Sequence, residues 1–269
     1  MRRGVKVRAQ QPGGEGRRAS ARTPTLVAFV VVAAITVAAL VQLLATPPPR
    51  RLIAAYFTSL DGRTGSQRHN AHLALEQLNG TVLAPGAEFS FNQVVGSLSR
   101  DQGFRRAPVS YNGTLIDDWG GGVCQTSTTL YNAAMLAGLE LVERHPHRFA
   151  PSYVPAGRDA AVAFSSVDLR FRNPFPFAVR LSGRIDGDRL LIEVWGKKMP
   201  KGRPQIVQEV HGVQTPGTLV LEGPSPRVRN TGKAGSEVAT YRVTGDRREL
   251  LSLDSYPVMD RVVERRDRL

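Results

Sequence analysis

The stretch Gly120-Gly121-Gly122-Val123-Cys124-Gln125-Thr126-Ser127-Thr128-Thr129 sets the only cysteine of a 269-residue chain between a glycine run and an apolar, helix-patterned segment. Glycines let the backbone take positive φ and approach a ligand closely. A helix start carries partial positive charge, which favours thiolate over thiol. Cys124 is therefore a candidate nucleophile. His145 or His147 is the candidate general base, and Asp159 or Asp168 the carboxylate that would orient the imidazole. A backbone N–H of Cys124 or Gln125 is available in this reading to hold an oxyanion. A lone cysteine also serves as a small buried hydrophobe, with Thr126, Ser127 and Thr128 capping the helix. The same loop, with Gly121, Gly122, Gln125, Thr126 and Arg158, could instead line a binding cleft, Arg158 meeting a carboxylate with both arms of its guanidinium.

These residues can meet only if the intervening chain turns back. The apolar stripe Leu130, Ala133, Ala134, Met135 and Ala137 has i, i+3, i+4 spacing, so the helix is expected to begin at Gln125 or Thr126 and stop at Gly138. If it ran on to Glu143 it would hold both histidines about 28 Å away. A return strand over 139–145 spans up to about 23 Å and brings His145 or His147 to the thiol, and this is the favoured arrangement.

Elsewhere, Leu52 to Thr58 reads as a first strand, Gln67 to Asn79 as an amphipathic helix with Gly80 at its C-terminus, and Thr81 to Leu83 and Glu88 to Phe91 as short strands. Val109 to Ile116 reads as another strand. Ala160 to Phe164, Val167 to Arg172, Phe177 to Ile185 and Arg189 to Trp195 have β composition, and Asp186-Gly187-Asp188 is a hairpin turn. Beyond a linker at 196–204, Val238 to Val243 is strand-like. The expected class is α+β: a mixed, β-rich domain with a few helices and a small β-type C-terminal module. His69 and His72 form an i, i+3 pair without further ligands nearby, so no metal and no cofactor is expected.

Residues 1–22 carry seven Lys or Arg against one acid, and 25–45 is an uncharged apolar run. That run spans roughly 30 Å as a helix, one bilayer core. The pattern predicts an uncleaved single-pass anchor in the plasma membrane, with a basic N-terminus held in the cytoplasm and the rest outside. The resulting organisation is a tail at 1–24, a transmembrane helix at 25–45, a Pro-rich linker at 46–51, a main domain at 52–198 and a module at 205–269. The net charge of +13 suits anionic polymers or lipid head groups, and nucleic acid is not an expected partner. With one cysteine no intrachain disulfide can form.

Residues 52 to about 198 resemble the VanW-like family, named from vancomycin-resistance gene clusters. The likeness rests on Ala55-Tyr56-Phe57-Thr58-Ser59, Arg68-His69-Asn70, Leu78-Asn79-Gly80-Thr81-Val82, Ala84 to Asn92, Gly120 to Tyr131, Glu143-Arg144-His145-Pro146-His147 and Tyr153 to Ala160. Gly232 to Arg242 is similar to G5-type extracellular modules. The resemblance implies the bacterial envelope, peptidoglycan as ligand and a link to glycopeptide resistance, but brings no established reaction. Its first expectation is a protein that binds or organises peptidoglycan. The competing expectations are a cysteine acyl-transfer or hydrolytic enzyme acting on cell-wall peptides, whose layout of helix, glycine stop and return strand resembles papain-like and transglutaminase-like enzymes, and a non-catalytic envelope assembly factor.

Overall fold

The computed structural model describes residues 51–111 and 114–266. The basic tail and the apolar run at 25–45 lie outside them. No helix among the described residues is long and apolar enough to cross a membrane.

In chain order the elements are β1 (Arg51–Ser59), α1 (Gly65–Leu78), β2 (Val82–Leu83), β3 (Glu88–Ser90), α2 (Phe91–Val95), a 3-10 turn (Arg100–Gln102), β4 (Arg106–Tyr111), β5 (Thr114–Trp119), α3 (Val123–Ala137), β6 (Glu140–Glu143), β7 (Arg170–Arg172), β8 (Val179–Asp186) and β9 (Arg189–Gly196). The C-terminal part adds β10 (Gln205–Gln214), β11 (Thr218–Gly223), β12 (Arg227–Asn230), β13 (Gly235–Thr244), β14 (Arg247–Tyr256) and β15 (Arg261–Arg266). This is the expected α+β, strand-rich class.

The main sheet has the antiparallel order β1-β9-β8-β2. Its strands alternate, so Leu190, Ile192 and Val194 of β9 and Val179 and Leu181 of β8 point inward. α1 lies on β8 so closely that a Cβ on Gly183 would stand 2.3 Å from the Leu75 side chain. Its start is fixed by a capping box, Thr64 Oγ1 accepting from the Gln67 N–H and the Gln67 amide oxygen accepting from the Thr64 N–H. A second sheet, β3-β7-β6, is stapled by Phe89 stacked on Phe171 with ring centroids 4.6 Å apart. β4 and β5 form a separate hairpin where one strand over Val109 to Ile116 was expected.

α3 is the centre of the molecule. Every residue of it except Cys124 and Leu136 is buried, as expected of a helix enclosed on all sides. Its serine, threonine, asparagine and glutamine side chains are satisfied internally, while the buried Tyr131 hydroxyl has no hydrogen-bond partner among the described residues. Thr126 donates to the Ala71 carbonyl, Thr129 pairs with Thr58 at 2.8 Å, and Asn132 donates to the Thr128 and Arg158 carbonyls. Two glycines set its length. Gly122, the N-cap, has φ +106°, and a Cβ there would meet the Gln67 carbonyl oxygen at 2.3 Å. Gly138 ends it at φ +83° with its N–H on the Ala134 and Met135 carbonyls, a left-handed stop that reverses the chain. β6 then returns as a strand.

The C-terminal strands form two three-stranded sheets, β10-β13-β14 and β11-β15-β12, the β11–β15 pair being parallel. Val238, Ala239 and Tyr256 are the buried apolar or aromatic residues they contribute among the described residues. All described residues fall within one compact unit.

Candidate active site

The return strand delivers the chain to the first turn of α3. Beyond β6, the His145 carbonyl accepts from the Ala161 N–H at 2.8 Å. Ala160, its neighbour, is tied to α3 on both sides of its peptide unit: its N–H donates to Thr128 Oγ1 at 3.0 Å and its carbonyl accepts from Ser127 Oγ at 2.6 Å. Segments 145–147 and 159–162 are thereby held against the end of the helix where Cys124 sits half-buried. The Cys124 Sγ is 3.5 Å from the Val162 carbonyl oxygen, and Tyr153 Oη donates to the Cys124 carbonyl at 3.4 Å.

His147 is the histidine brought to the thiol. Its side chain hydrogen-bonds with Cys124, while its Nδ1 is 2.7 Å from Asp159 Oδ2. The same carboxylate oxygen accepts from the His147 backbone N–H at 2.6 Å, so ring and backbone are gripped together. That arrangement makes Nδ1 the protonated donor and leaves Nε2 for sulfur. His145 is turned elsewhere, its Nε2 standing 2.9 Å from Glu143 Oε1. Asp168 is also elsewhere: it accepts from Ser90 Oγ at 2.5 Å and from the Asn92 N–H at 2.9 Å, fixing the start of α2.

The charges follow from this geometry. Burial pushes the Cys124 thiol up, but the His147 hydrogen bond and positive charge outweigh it and bring the thiol below its ordinary value. Burial pushes the His147 imidazole down. Hydrogen bonds to Asp159 and Cys124 prevail and raise it to about 10. Burial likewise disfavours the Asp159 anion, and the bonds to His147 and the Arg144 charge hold its carboxyl below the usual carboxylate range. Both shifts favour an imidazolium beside a thiolate.

Asp159 is fully buried and doubly clamped. Its Oδ1 accepts from Arg144 Nη2 at 3.0 Å and from Tyr256 Oη at 2.5 Å. Arg144 also donates to the Asp159 carbonyl at 2.6 Å and to Asp254 Oδ1 at 2.5 Å. Tyr153, Arg144, Asp254 and Tyr256 carried no role in the sequence reading. Arg144 was in view within Glu143-Arg144-His145-Pro146-His147, whereas Tyr256 lies 97 residues from its partner with no local pattern to mark it.

The residues expected to line a ligand cleft are placed differently. Gln125 is buried, donating to Thr58 Oγ1 and the Ser59 carbonyl and accepting from Arg63 Nε at 2.9 Å. Its backbone N–H goes to the Gly122 carbonyl at 3.1 Å. Thr126 is fully buried, and Gly121 packs where a Cβ would meet the Ala107 and Pro108 carbonyls at 2.8 Å. Arg158 donates to Asn132 Oδ1 at 2.7 Å and covers the Tyr56 ring at 4.8 Å. These side chains build the frame under the nucleophile. Among the described residues no cluster of three or more His, Cys, Asp or Glu side chains is placed to hold a metal ion. His69 is bonded to the Gly103 carbonyl, and His72 lies 3.7 Å from Glu76.

Residues 66–195 match the family described as VanW like protein. Among curated proteins the chain is 35% identical over 167 residues to the uncharacterized protein YoaR of Bacillus subtilis, covering 59% of this chain and 55% of that one. It is 28% identical over 156 residues to the vancomycin B-type resistance protein VanW of Enterococcus faecalis, covering 54% of this chain and 57% of that one. The chain therefore spans about half the length of the curated relatives it matches. No solved structure matches it. The VanW-like match covers 66–195, a segment that includes Cys124, His147 and Asp159 and ends before the C-terminal sheets.

Proposed function

We propose that this VanW-like protein is a cysteine-dependent acyl-transfer or hydrolytic enzyme acting on amide bonds of cell-wall peptides. The observation that carries the reading is the unbroken line from Cys124 through His147 to Asp159, buried at the carboxylate end and reaching a half-buried thiol at a helix N-terminus. A structural cysteine needs no imidazole held by a buried carboxylate.

In the reaction, the Cys124 thiolate adds to the substrate carbonyl carbon, and its electrons pass to the oxygen. The first turn of α3 offers the Cys124 N–H and the positive end of the helix to that oxyanion. When the intermediate collapses the C–N bond breaks, and His147 Nε2 passes its proton to the departing amine. The remaining thioester is attacked by water or by a second amine, which surrenders a proton to His147 and regenerates the thiolate. Asp159 holds the ring in one tautomer throughout.

The substrate class rests on the family, whose curated members include a vancomycin resistance protein, and on the positive charge of the chain. An envelope location is supported by the basic flank and apolar run at 25–45. The proposed arrangement is a single-pass plasma-membrane protein working outside the membrane, with peptidoglycan as its partner. Such an enzyme must also bind the polymer, so the binding reading is contained in this one.

The test is to incubate the full chain with purified peptidoglycan fragments, quench in acid and look by intact-mass spectrometry for an acyl adduct on the single cysteine. An adduct on the wild type that disappears in Cys124→Ala is expected. Fragment binding without an adduct or turnover, unchanged in Cys124→Ala, would favour a binding protein instead.

A further inference from the structure

We propose that the C-terminal β10-β13-β14 sheet, which lies outside the family-matched segment, belongs to the catalytic apparatus, with Tyr256 of β14 as a positioning residue for Asp159. This inference rests on the Cys124–His147–Asp159 reading.

The contacts are specific. Tyr256 is 2% exposed, and its hydroxyl does two jobs: it donates to Asp159 Oδ1 at 2.5 Å and accepts from the Gly157 N–H at 2.9 Å. It ties the carboxylate to the loop that carries it. Two residues earlier in β14, Asp254 accepts from Arg144 Nη1 at 2.5 Å and is itself fixed by Ser252 Oγ at 2.9 Å. Arg144 in turn reaches Asp159 Oδ1 through its other terminal nitrogen. β14 therefore governs both donors to one oxygen of the carboxylate, and the second oxygen is left to His147. β13 closes the joint: Thr240 Oγ1 donates to the Gly157 carbonyl at 3.1 Å, so tightly that a Cβ on Gly157 would lie 2.3 Å from that oxygen.

Strand pairing sets this geometry. Tyr256 is opposite Ser236 and Asp254 opposite Val238 in the β13–β14 register, and residues two apart on a strand share a face. Tyr256 and Asp254 therefore address the same edge of the VanW-like domain. A mere docking surface would have no need to place a phenol and a carboxylate around the orienting aspartate. Without the hydroxyl, Oδ1 keeps Arg144 alone, the carboxylate is free to swing toward it, and its hold on His147 Nδ1 weakens.

The experiment compares rates of iodoacetamide alkylation of Cys124 against pH in the full-length wild type, Tyr256→Phe and His147→Ala, with circular dichroism as the check on folding. The expected result is a depressed thiol pKa in the wild type, raised by about one unit in folded Tyr256→Phe, on the scale of losing one hydrogen bond to a charged group. In His147→Ala it rises further. A purely structural tyrosine would lower Tm and leave the alkylation profile in place, which would overturn the inference while leaving the triad standing. An ordinary thiol pKa in the wild type, unmoved by His147→Ala, would overturn both. Should Tyr256→Phe be recovered unfolded, Asp254→Asn reads the same connection through Arg144. An upward shift there supports the inference, and an unshifted profile in folded Asp254→Asn overturns it.

Discussion

The helix-centred domain and the C-terminal sheets are built by different rules. Around α3 almost every side chain is buried and each serine and threonine hydroxyl has a partner, so packing and hydrogen bonding fix the position of Cys124. The C-terminal sheets leave Val210, Leu219, Leu250 and Leu253 exposed, Leu253 at 73%, and attach to the domain by polar bonds beside a small apolar contact through Ile206 and Leu251. Arg242 donates to the Leu139 carbonyl at 2.5 Å, Lys233 to the Ala150 carbonyl at 2.9 Å, and Tyr256 and Asp254 reach the Asp159 clamp. The lesson is that apolar burial places the nucleophile, while polar docking holds its orienting carboxylate.

The contrast can be broken most severely at the clamp itself. Arg144→Met leaves Asp159 and Asp254 buried around a lost charge, and is expected to cost about 3–5 kcal/mol. For a domain of this size that lowers Tm by roughly 6–20 °C, measurable by calorimetry. A loss below about 1 kcal/mol would mean that the two parts are joined by something other than this network.

A smaller effect should appear with pH. Asp159 has its folded pKa below the unfolded value of about 3.9, so its stabilisation is present above that value and is lost as pH falls through the folded pKa. The stability gap between wild type and Asp159→Asn, followed by urea titration, should therefore narrow on acidification below about pH 4. His147 has the opposite sign: its folded pKa is raised to about 10, so its contribution is complete below about 6.5 and fades as pH rises toward 10. The least effect is expected on the exposed face, where Leu253→Ser should change stability by no more than about 0.5 kcal/mol. A loss of several kcal/mol there would show that the exposed leucine belongs to a packed interface.

Much of this arrangement was legible in the sequence, and the failures have physical causes. Gly138 and the apolar stripe before it were enough to foresee the stop and the return of β6. The helix begins at Val123, ahead of the expected Gln125 or Thr126, because a glycine in the left-handed conformation caps it instead of a hydroxyl side chain. His145 and His147 could not be separated: both follow the same strand, and only the acceptor each ring finds, Glu143 or Asp159, decides which faces sulfur. Ala160 to Phe164 reads as a strand by composition but makes only isolated bridges at Ala161 and Ala163, since the peptide groups of Ala160 are consumed by Ser127 and Thr128 of α3. Gln125, Thr126 and Arg158 looked like ligand-facing polar residues, yet the enclosed helix needs them to satisfy its own surroundings. Tyr256 and Asp254 lay beyond reach because their role arises from the register of β13 with β14, across some hundred residues of chain.

The most direct test of the central claim is the pH dependence of Cys124 alkylation in the full-length protein, with His147→Ala and His145→Ala beside it. The account predicts a wild-type thiol pKa below the free value of about 8.5, left in place by His145→Ala. His147→Ala should carry it above the free value, because burial then acts without its counter-charge. A thiol that reacts only on unfolding, or one indifferent to the loss of His147, would contradict the account.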